Sequence, residues 1–506
     1  MRRSSIRFFK GQQITKQMKS DGLDYESVTR PRQDRKRHNE GATLGRSVAQ
    51  SSFAEAMPAE SEMKSIGPQE HTRHLKYASK LRRGHALSYA LLFLYLVFVY
   101  FRPYELFTSL APLISVVFWL GLAVLIVFVP MQLLLEGSLT ARPREVDLAV
   151  LLCVVALLSV IFAGSRDLAW NEFTFVFIKA VMIFVVMVNV VRTERRLRSL
   201  ILLAISVGCV ISVDALNKFR LGQFDQGDEL GRVVGNIGGM FGNQNDMALH
   251  LVTMIPIVVA LLLITPNILK KIIYLGCVLL MLAGNFVTFS RGAFLGLIAG
   301  VAALVWKLGR NNRALGLAIV FIAFTAALVL VPGRYGSRIA SILQPSGDES
   351  AFTRKQLLFD SLYVSARHPL FGVGMGNSRN MLTRGQVSHN AYTQVASEMG
   401  LAALAIYVMF ILIPLKSLRR IERTPSLSRV DQRSRYLAVG LQASIICYMV
   451  SSFFLSVAYQ WNIYFLVGYA VCFRRIHEAR AIETEREAGR SNETSKPQVG
   501  VSIEQG

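Results

Sequence analysis

Two ionisable side chains lie where a long apolar run begins, in the stretch VSHNAYTQVASEMGLAAL, residues 387–404. His389 precedes the run and Glu398 falls inside its first turns. Ionisable groups at membrane depth are costly, so they usually mark a functional site. A histidine can remove a proton from a hydroxyl near neutral pH, which makes His389 a candidate general base. Asn390, directly after it, is a candidate substrate contact.

A lone arginine occupies the tight turn in NFVTFSRGAFLGL, residues 285–297. Arg291 opens an apolar helical stretch, and helix N-termini attract anions. An arginine there is unfavourable for the helix alone, but it fits a site where an anion lies between the two. A guanidinium also binds phosphate oxygens without deprotonating, so Arg291 is a candidate phosphate ligand. Snorkelling of an interfacial arginine is the alternative interpretation.

Two longer loops carry the other candidate contacts. In RVVGNIGGMFGNQNDMALH, residues 232–250, Arg232 and Asn245 could contact a substrate, although Asn245 or Asp246 could instead cap the next helix. In FGVGMGN, residues 371–377, glycines at alternate positions include Gly374. Such a turn lets backbone approach a ligand or a helix. No strand precedes it, so a dinucleotide site is not indicated.

The elements that must position these residues are membrane spans. The chain has 506 residues, of which 52% are hydrophobic and 18% charged, whereas a soluble domain carries about 25% charged residues. A helical span needs about 20 apolar residues. We therefore predict an all-α polytopic membrane protein with about twelve transmembrane helices, near residues 86–101, 110–135, 146–163, 173–191, 199–216, 246–265, 271–289, 292–306, 314–331, 393–415, 435–456 and 458–474.

The basic residues give the orientation. Alternate short loops are rich in lysine and arginine, as in RTERRLR and KLGRNNR, whereas the others hold about one basic residue or none. Cytoplasmic loops carry this excess, so both termini are predicted to be cytoplasmic and His389 to face outward. The net charge of +23 follows from this distribution and does not indicate nucleic acid. The five cysteines all lie in apolar blocks without a C-x-x-C, which predicts neither a disulfide framework nor a zinc site.

The predicted organisation has five parts. They are a disordered basic cytoplasmic arm (1–84), the first nine spans (85–331), a periplasmic loop (332–392), the last three spans (393–474) and a cytoplasmic tail (475–506). No signal peptide is indicated at the N-terminus. In the periplasmic loop, one apolar face predicts an amphipathic helix on the outer interface or capping the bundle, formed by Phe352, Leu357, Leu358, Leu362 and Val364.

Four stretches, all predicted on the outer side, together resemble the O-antigen ligase and O-antigen polymerase family of bacterial envelope proteins. They are GMFGNQNDMA, FSRGAFLGL, HPLFGVGMGN and SHNAYTQVASEMGLAALAIY, and the resemblance covers residues 230–415. It implies a metal-independent, cofactor-free glycosyltransferase of the bacterial inner membrane. The donor would be a glycan on undecaprenyl diphosphate, and the acceptor hydroxyl would belong to a glycan, lipid or protein.

The resemblance also implies roles for particular residues. Arg291 and His389 match the family's outer-face arginine and loop histidine. Arg232 matches the arginine of the first outer loop, with Arg220 as its competitor. Glu398 has three interpretations: it orients His389, it faces the acceptor, or it is buried against a polar group of a neighbouring helix. Metal-dependent transfer would instead favour paired carboxylates, and the outer loops contain no D-x-D.

The sequence leaves the acceptor open and is compatible in part with two other classes of membrane protein. A ligase and a polymerase share this site and differ in the acceptor, and the residues do not decide between them. A transporter or flippase of lipid-linked glycans would suit twelve spans, but it should carry ionisable groups near the midplane and repeated halves. A membrane scaffold that recruits partners through the basic arm would leave Arg291 and His389 unexplained.

Overall fold

The computed structural model describes residues 84–106, 108–224, 233, 241–308, 349–424 and 429–494. Within these ranges the regular structure is entirely helical. The longer helices are α1 (Ala86–Phe101), α2 (Ile114–Glu136), α3 (Arg144–Ile161), α4 (Arg166–Asn171), α5 (Ile178–Val190), α6 (Glu194–Arg220), α7 (Gln244–Ile264), α8 (Ile268–Val287), α9 (Arg291–Lys307), α10 (Glu349–Arg367), α11 (Ala391–Met399), α12 (Leu401–Arg423), α13 (Arg429–Ser451) and α14 (Trp461–Thr494). A π-helical turn, Glu172–Phe177, joins α4 to α5.

Eight helical segments of the described chain are long and apolar enough to cross a membrane, so the protein is a multi-pass membrane protein. They are Ala86–Glu105, Ile114–Glu136, Arg166–Val190, Glu194–Arg220, Gln244–Ile264, Ile268–Val287, Leu401–Arg423 and Val430–Phe454. Each coincides with a predicted span. The count of twelve stays a prediction, because the stretch 314–331 and the arm 1–83 lie outside the described residues.

Three further helices overlap predicted spans but are shorter or more charged. Helix α3 carries three charged residues in its first turn, and α9 has 17 residues. Helix α14 is apolar only as far as Phe473, after which two arginines follow and the helix continues to Thr494. The predicted boundary at residue 474 therefore does not end a helix.

The predicted span 393–415 contains a break. Helix α11 ends at Met399, Gly400 adopts φ +91°, and α12 then runs from Leu401 to Arg423. A Cβ on Gly400 would overlap the carbonyl oxygen of Leu370, so the chain needs a glycine both for its dihedral angles and for this close approach. Helix α11 is therefore a separate short helix that leads into the span.

Helix α7 lies at the centre of the bundle. From Met247 to Leu261 every residue is buried, and the helix packs against α8, α9 and α13. Apart from His250 and Thr253, whose side chains bond backbone carbonyls, this stretch is apolar, so the helix has no face that needs water. It therefore fixes the position of its own first turn, which carries Asn243, Asn245 and Asp246.

A row of glycines brings α9 close to α13. Gly292, Gly296 and Gly300 recur every four residues, and each faces α13 or the turn that follows it. A Cβ on Gly296 would overlap the Ser451 hydroxyl and lie 2.9 Å from the Cys447 carbonyl oxygen. Small residues at this spacing let two membrane helices pack backbone to backbone. The packing fixes where α9 begins, and hence where Arg291 lies.

We expect Gly296→Ala to destabilise the protein, because the Cys447 carbonyl cannot move without shifting α13. Overpacking of this kind costs about 1–3 kcal/mol. Gly276→Ala on α8 is the matched control, since a Cβ there meets no atom within 4 Å; alanine also has the higher helix propensity. Thermal unfolding in detergent should show a lower midpoint for Gly296→Ala and an unchanged or higher one for Gly276→Ala. Equal midpoints would contradict the proposed packing.

The bundle has two distinct ends, which we name after the ends of α9. The Arg291 end holds the starts of α7 and α9, and the Lys307 end lies about 24 Å away at 1.5 Å per residue. The Lys307 end is rich in ion pairs. Lys307 pairs with Glu422 at 2.7 Å, and Arg474 donates to both carboxylate oxygens of Glu145 at 2.6 and 2.9 Å.

The amphipathic helix predicted in the long loop is α10, but it has two apolar faces. Leu357 and Val364 are buried, in a small cluster with Val373 and Leu382. Phe352 and Leu362 are instead 67% and 48% exposed. The prediction of one shared face is therefore wrong, because residues 352 and 357 are five positions apart and lie about 140° apart around a helix. The exposed face is completed by Phe359 and Tyr363.

Candidate active site

Four segments meet at the Arg291 end: the starts of α7, α9 and α11, and the connection from residue 452 to 460 between α13 and α14. The Ser290 hydroxyl donates to Asn245 Oδ1 at 2.9 Å and so joins α9 to α7. The hydroxyls of Ser388 and Ser456 lie 3.2 Å apart and join the residue before His389 to the connection. These contacts hold the residues next to Arg291 and next to His389 in place at the same end of the bundle.

Arg291 is the first residue of α9, as predicted. Ser290 precedes it in an extended conformation, and its side chain does not cap the helix but bonds Asn245 instead. Phe289 adopts φ +50°, a left-handed conformation that bulky residues rarely take and that tends to occur at functional sites. The turn is thus held in an uncommon geometry that sets where the Arg291 side chain begins.

His389 also has a left-handed backbone, with φ +49°. Burial lowers the pKa of its imidazole to about 4, and the Arg354 guanidinium on α10 acts in the same direction. The ring is therefore neutral at neutral pH and can accept a proton. The sequence pattern alone does not indicate that Arg354 lies close to His389.

Asn390 is the N-cap of α11. Its side-chain oxygen accepts from the backbone N–H groups of Tyr392 at 2.9 Å and Thr393 at 3.1 Å. The residue is buried, and its carbonyl oxygen accepts from the Ser388 hydroxyl. Asn390 therefore fixes the start of the helix directly after His389.

The cap of α7 lies earlier than predicted. Asn243 accepts from the backbone N–H groups of Asn245 and Asp246, both at 2.9 Å. The prediction that Asn245 or Asp246 caps the helix is wrong, because a cap side chain reaches forward to residues two and three positions on. Asn245 instead bonds Ser290, next to Arg291. The Asp246 carboxylate accepts from Asn243 and, at 3.4 Å, from Gln460.

Gly374 packs against a helix. It adopts φ +102°, its N–H donates to the Glu398 carbonyl at 3.0 Å, and a Cβ there would overlap the Cβ of Ala163. Gly372 similarly approaches the backbone of Glu398. Of the two interpretations of this glycine-rich turn, the geometry favours close approach to helices, which joins the loop to α3 and α11.

Glu398 is buried, and one carboxylate oxygen accepts from the Ser378 hydroxyl at 2.6 Å. Burial raises the pKa of this carboxyl, and the Glu172 carboxylate acts in the same direction, whereas the bond from Ser378 opposes it. Of the three interpretations of Glu398, these surroundings favour burial against polar groups of neighbouring segments. Tyr459, from the connection after α13, lies close enough to interact with it electrostatically.

Of the two candidate arginines of the first outer loop, Arg220 lies in the described residues and Arg232 does not. Arg220 is the last residue of α6, is exposed, and donates to Asn217 at 3.4 Å. Its neighbour Phe219 contacts Phe289, with 6.4 Å between ring centroids. The end of α6 therefore lies beside the turn that carries Arg291. Arg232 lies outside the described residues.

The sequence analysis missed the connection from residue 452 to 460, which touches every part of the site. It contacts α9 through Phe454 and Gly292, and α11 through the Ala458 N–H and Gln394. The polar run YQWN directly before the last span is a signal that could have indicated it, but a short loop without basic residues carries no charge pattern of a site. In the described ranges, no group of three or more His, Cys, Asp or Glu side chains is placed to hold a metal ion.

The matched part of the chain runs from the middle of α8 to the first turns of α12. Residues 276–408 match the O-antigen ligase family. This match, over about a quarter of the chain, confirms the resemblance inferred from the motifs. The matched region contains Arg291, Gly374, His389, Asn390 and Glu398, whereas Arg220, Arg232, Asn245 and the connection after α13 lie outside it. No curated protein and no solved structure matches the chain.

Proposed function

We propose that this membrane protein transfers an oligosaccharide or polysaccharide from undecaprenyl diphosphate to an acceptor hydroxyl at the periplasmic face of the bacterial inner membrane. The observation that carries the proposal is the joint placement of the arginine turn and His389 at one end of the bundle. The O-antigen ligase match over these residues supports the same chemistry.

The transfer step is a substitution at the anomeric carbon of the donor sugar. The acceptor oxygen forms the new glycosidic bond, and the bond from the anomeric carbon to the phosphate oxygen breaks. Undecaprenyl diphosphate leaves with the bonding electron pair, and His389 takes the acceptor's proton. Arg291 stabilises the charge that develops on the leaving group, as a fixed guanidinium does for phosphate oxygens. The acceptor that distinguishes ligase from polymerase is not specified by this step.

Arg354 has a defined place in this scheme. Burial, and after it the positive charge of Arg354, lowers the pKa of His389 and keeps the imidazole neutral before the reaction. The Arg354 guanidinium also supplies a second cation on the side of the site formed by α10. Arg220 could act from α6, beside the turn that carries Arg291. Two or three arginines around one diphosphate suit the charge of that group.

The orientation has a direct test. Reporter fusions after Arg198, Lys271 and Arg420 should report a cytoplasmic location, and fusions near Gly227 and Ser346 a periplasmic one. The physical reason is the excess of basic residues in the first group of loops. A cytoplasmic result at Ser346 would place His389 on the wrong side for a flipped lipid-linked donor and would contradict the proposal.

The activity itself is tested by reconstitution. Purified protein in nanodiscs, given undecaprenyl-diphosphate-linked glycan and an acceptor, should release undecaprenyl diphosphate and form a new glycosidic bond. EDTA should leave the rate unchanged, whereas strong inhibition would indicate a metal-dependent site. Movement of the donor across proteoliposomes without bond formation would instead identify a flippase.

A further inference from the structure

Unsatisfied polar groups concentrate in the segment Tyr459–Asn462, where the connection after α13 becomes α14. Within the described structure, no hydrogen-bond partner completes Oε1 of Gln460 or Nδ2 of Asn462, whereas the Tyr459 hydroxyl interacts with the Glu398 carboxylate. Asn462 is only 4% exposed. Because a buried polar group without a partner is costly, two within three consecutive residues indicate a ligand that supplies the missing partners.

The chemistry of the segment points to a neutral, hydroxyl-rich ligand. It offers a phenol and two carboxamides, and the stretch LSVAYQWN, residues 455–462, contains no charged residue. A phosphate would require arginine or lysine there. Trp461, between the two amides, is only partly buried and presents an aromatic ring. The polar side chains can hydrogen-bond the hydroxyl groups of a sugar, and the aromatic ring can pack against its apolar face.

The segment and the connection before it also contact residues close to both candidate catalytic residues. On one side, Gln460 Nε2 donates to Asp246 Oδ2 at 3.4 Å, in the turn where Asn245 bonds Ser290. On the other side, Ser456 contacts Ser388, which precedes His389. Tyr459 lies beside the buried Glu398 carboxylate, and these two side chains interact with each other.

We propose that Gln460 and Asn462 bind a sugar ring of the reacting glycan, with the Trp461 ring beside it. This subsite rests on the proposed function, since it gives the glycan of that reaction a binding place. It lies outside residues 276–408. Either the donor glycan or the acceptor could occupy it, and the two sources are separable by kinetics.

The test uses the full-length protein in nanodiscs and, as probe, free oligosaccharide released by mild acid from the envelope glycan of the source bacterium. Saturation-transfer NMR and titration should show glycan binding by the wild type. Asn462→Leu and Trp461→Ala should each weaken it roughly tenfold or more, as expected when a hydrogen bond to a buried group or an aromatic contact with the sugar is lost. The thermal midpoint of Asn462→Leu should be unchanged or higher, because the substitution removes a group that is unsatisfied in the free protein.

The matched control is Gln442→Leu, a buried amide at the Lys307 end that bonds Glu422. It should bind glycan and undecaprenyl diphosphate as the wild type does. In transfer assays, a higher KM for the donor in Asn462→Leu would assign the sugar to the donor, and a higher KM for the acceptor would assign it to the acceptor.

Unchanged glycan binding in both Asn462→Leu and Trp461→Ala would overturn the subsite and indicate buried water only. Trp461→Ala keeps the test valid if Asn462→Leu fails to fold, since Trp461 is only partly buried. The two proposals fail separately. If the variants transfer glycan as well as the wild type does, the subsite is contradicted and the proposed function stands. If the wild type binds glycan but transfers none, the proposed function is contradicted and the subsite stands.

Discussion

Arg291→Lys is expected to lower single-turnover glycan transfer by roughly 10²–10³-fold, the range found when one donor to a developing oxyanion is removed. Lysine keeps the positive charge but loses the planar two-point contact with phosphate oxygens. Binding of undecaprenyl diphosphate should weaken as well, because the diphosphate is present before and after the reaction. The measurement pairs donor binding with single-turnover transfer for the purified variant in nanodiscs.

The control is Arg198→Lys at the opposite side of the bundle, where the Arg198 guanidinium donates to the Tyr274 hydroxyl at 3.2 Å. This substitution makes the same chemical change and should leave donor binding and transfer within about twofold of the wild type, as expected for a surface site. If Arg291→Lys binds and transfers as well as Arg198→Lys, the arginine is only an interfacial residue that snorkels, and the phosphate role is excluded.

The helices were predictable because hydropathy and length are local properties. Every described helix that is long and apolar enough to span a membrane coincides with an apolar run in the sequence. The break at Gly400 was not predictable in this way, since it depends on the approach of Leu370 from a distant loop. The exposed apolar face of α10 was missed for a similar reason, because periodicity shows that a face is apolar but not which neighbour covers it.

The charged residues of the candidate site were predictable from the sequence, whereas the contacts that hold them in place were not. Arg291 and His389 were placed on one side of the membrane from loop charges, and the structure holds their flanks on a common frame. The roles of the asparagines required coordinates. Asn390 and Asn243 satisfy helix N-termini, and a carboxamide before a helix looks the same in sequence whether it caps that helix or contacts a substrate.

Replacement of His389 should lower turnover by about 10²–10⁴-fold, the usual cost of removing a general base, while binding of undecaprenyl diphosphate survives. Both His389→Ala and His389→Asn should be made, because His389 has φ +49° and asparagine tolerates this left-handed conformation better than alanine. A shared loss of activity then reports the imidazole rather than backbone strain.

The pH profile separates a base from a structural role. Because the pKa of His389 is lowered to about 4, the neutral form predominates at every pH above that value, and kcat/KM should fall only as the pH approaches 4. The residual activity of His389→Asn should lack this acidic decline. His368→Ala is the control, since His368 is exposed just beyond α10, and it should retain both the wild-type rate and the wild-type profile. Near-normal transfer by His389→Asn would exclude the general-base role and leave the acceptor's proton to another group at the Arg291 end.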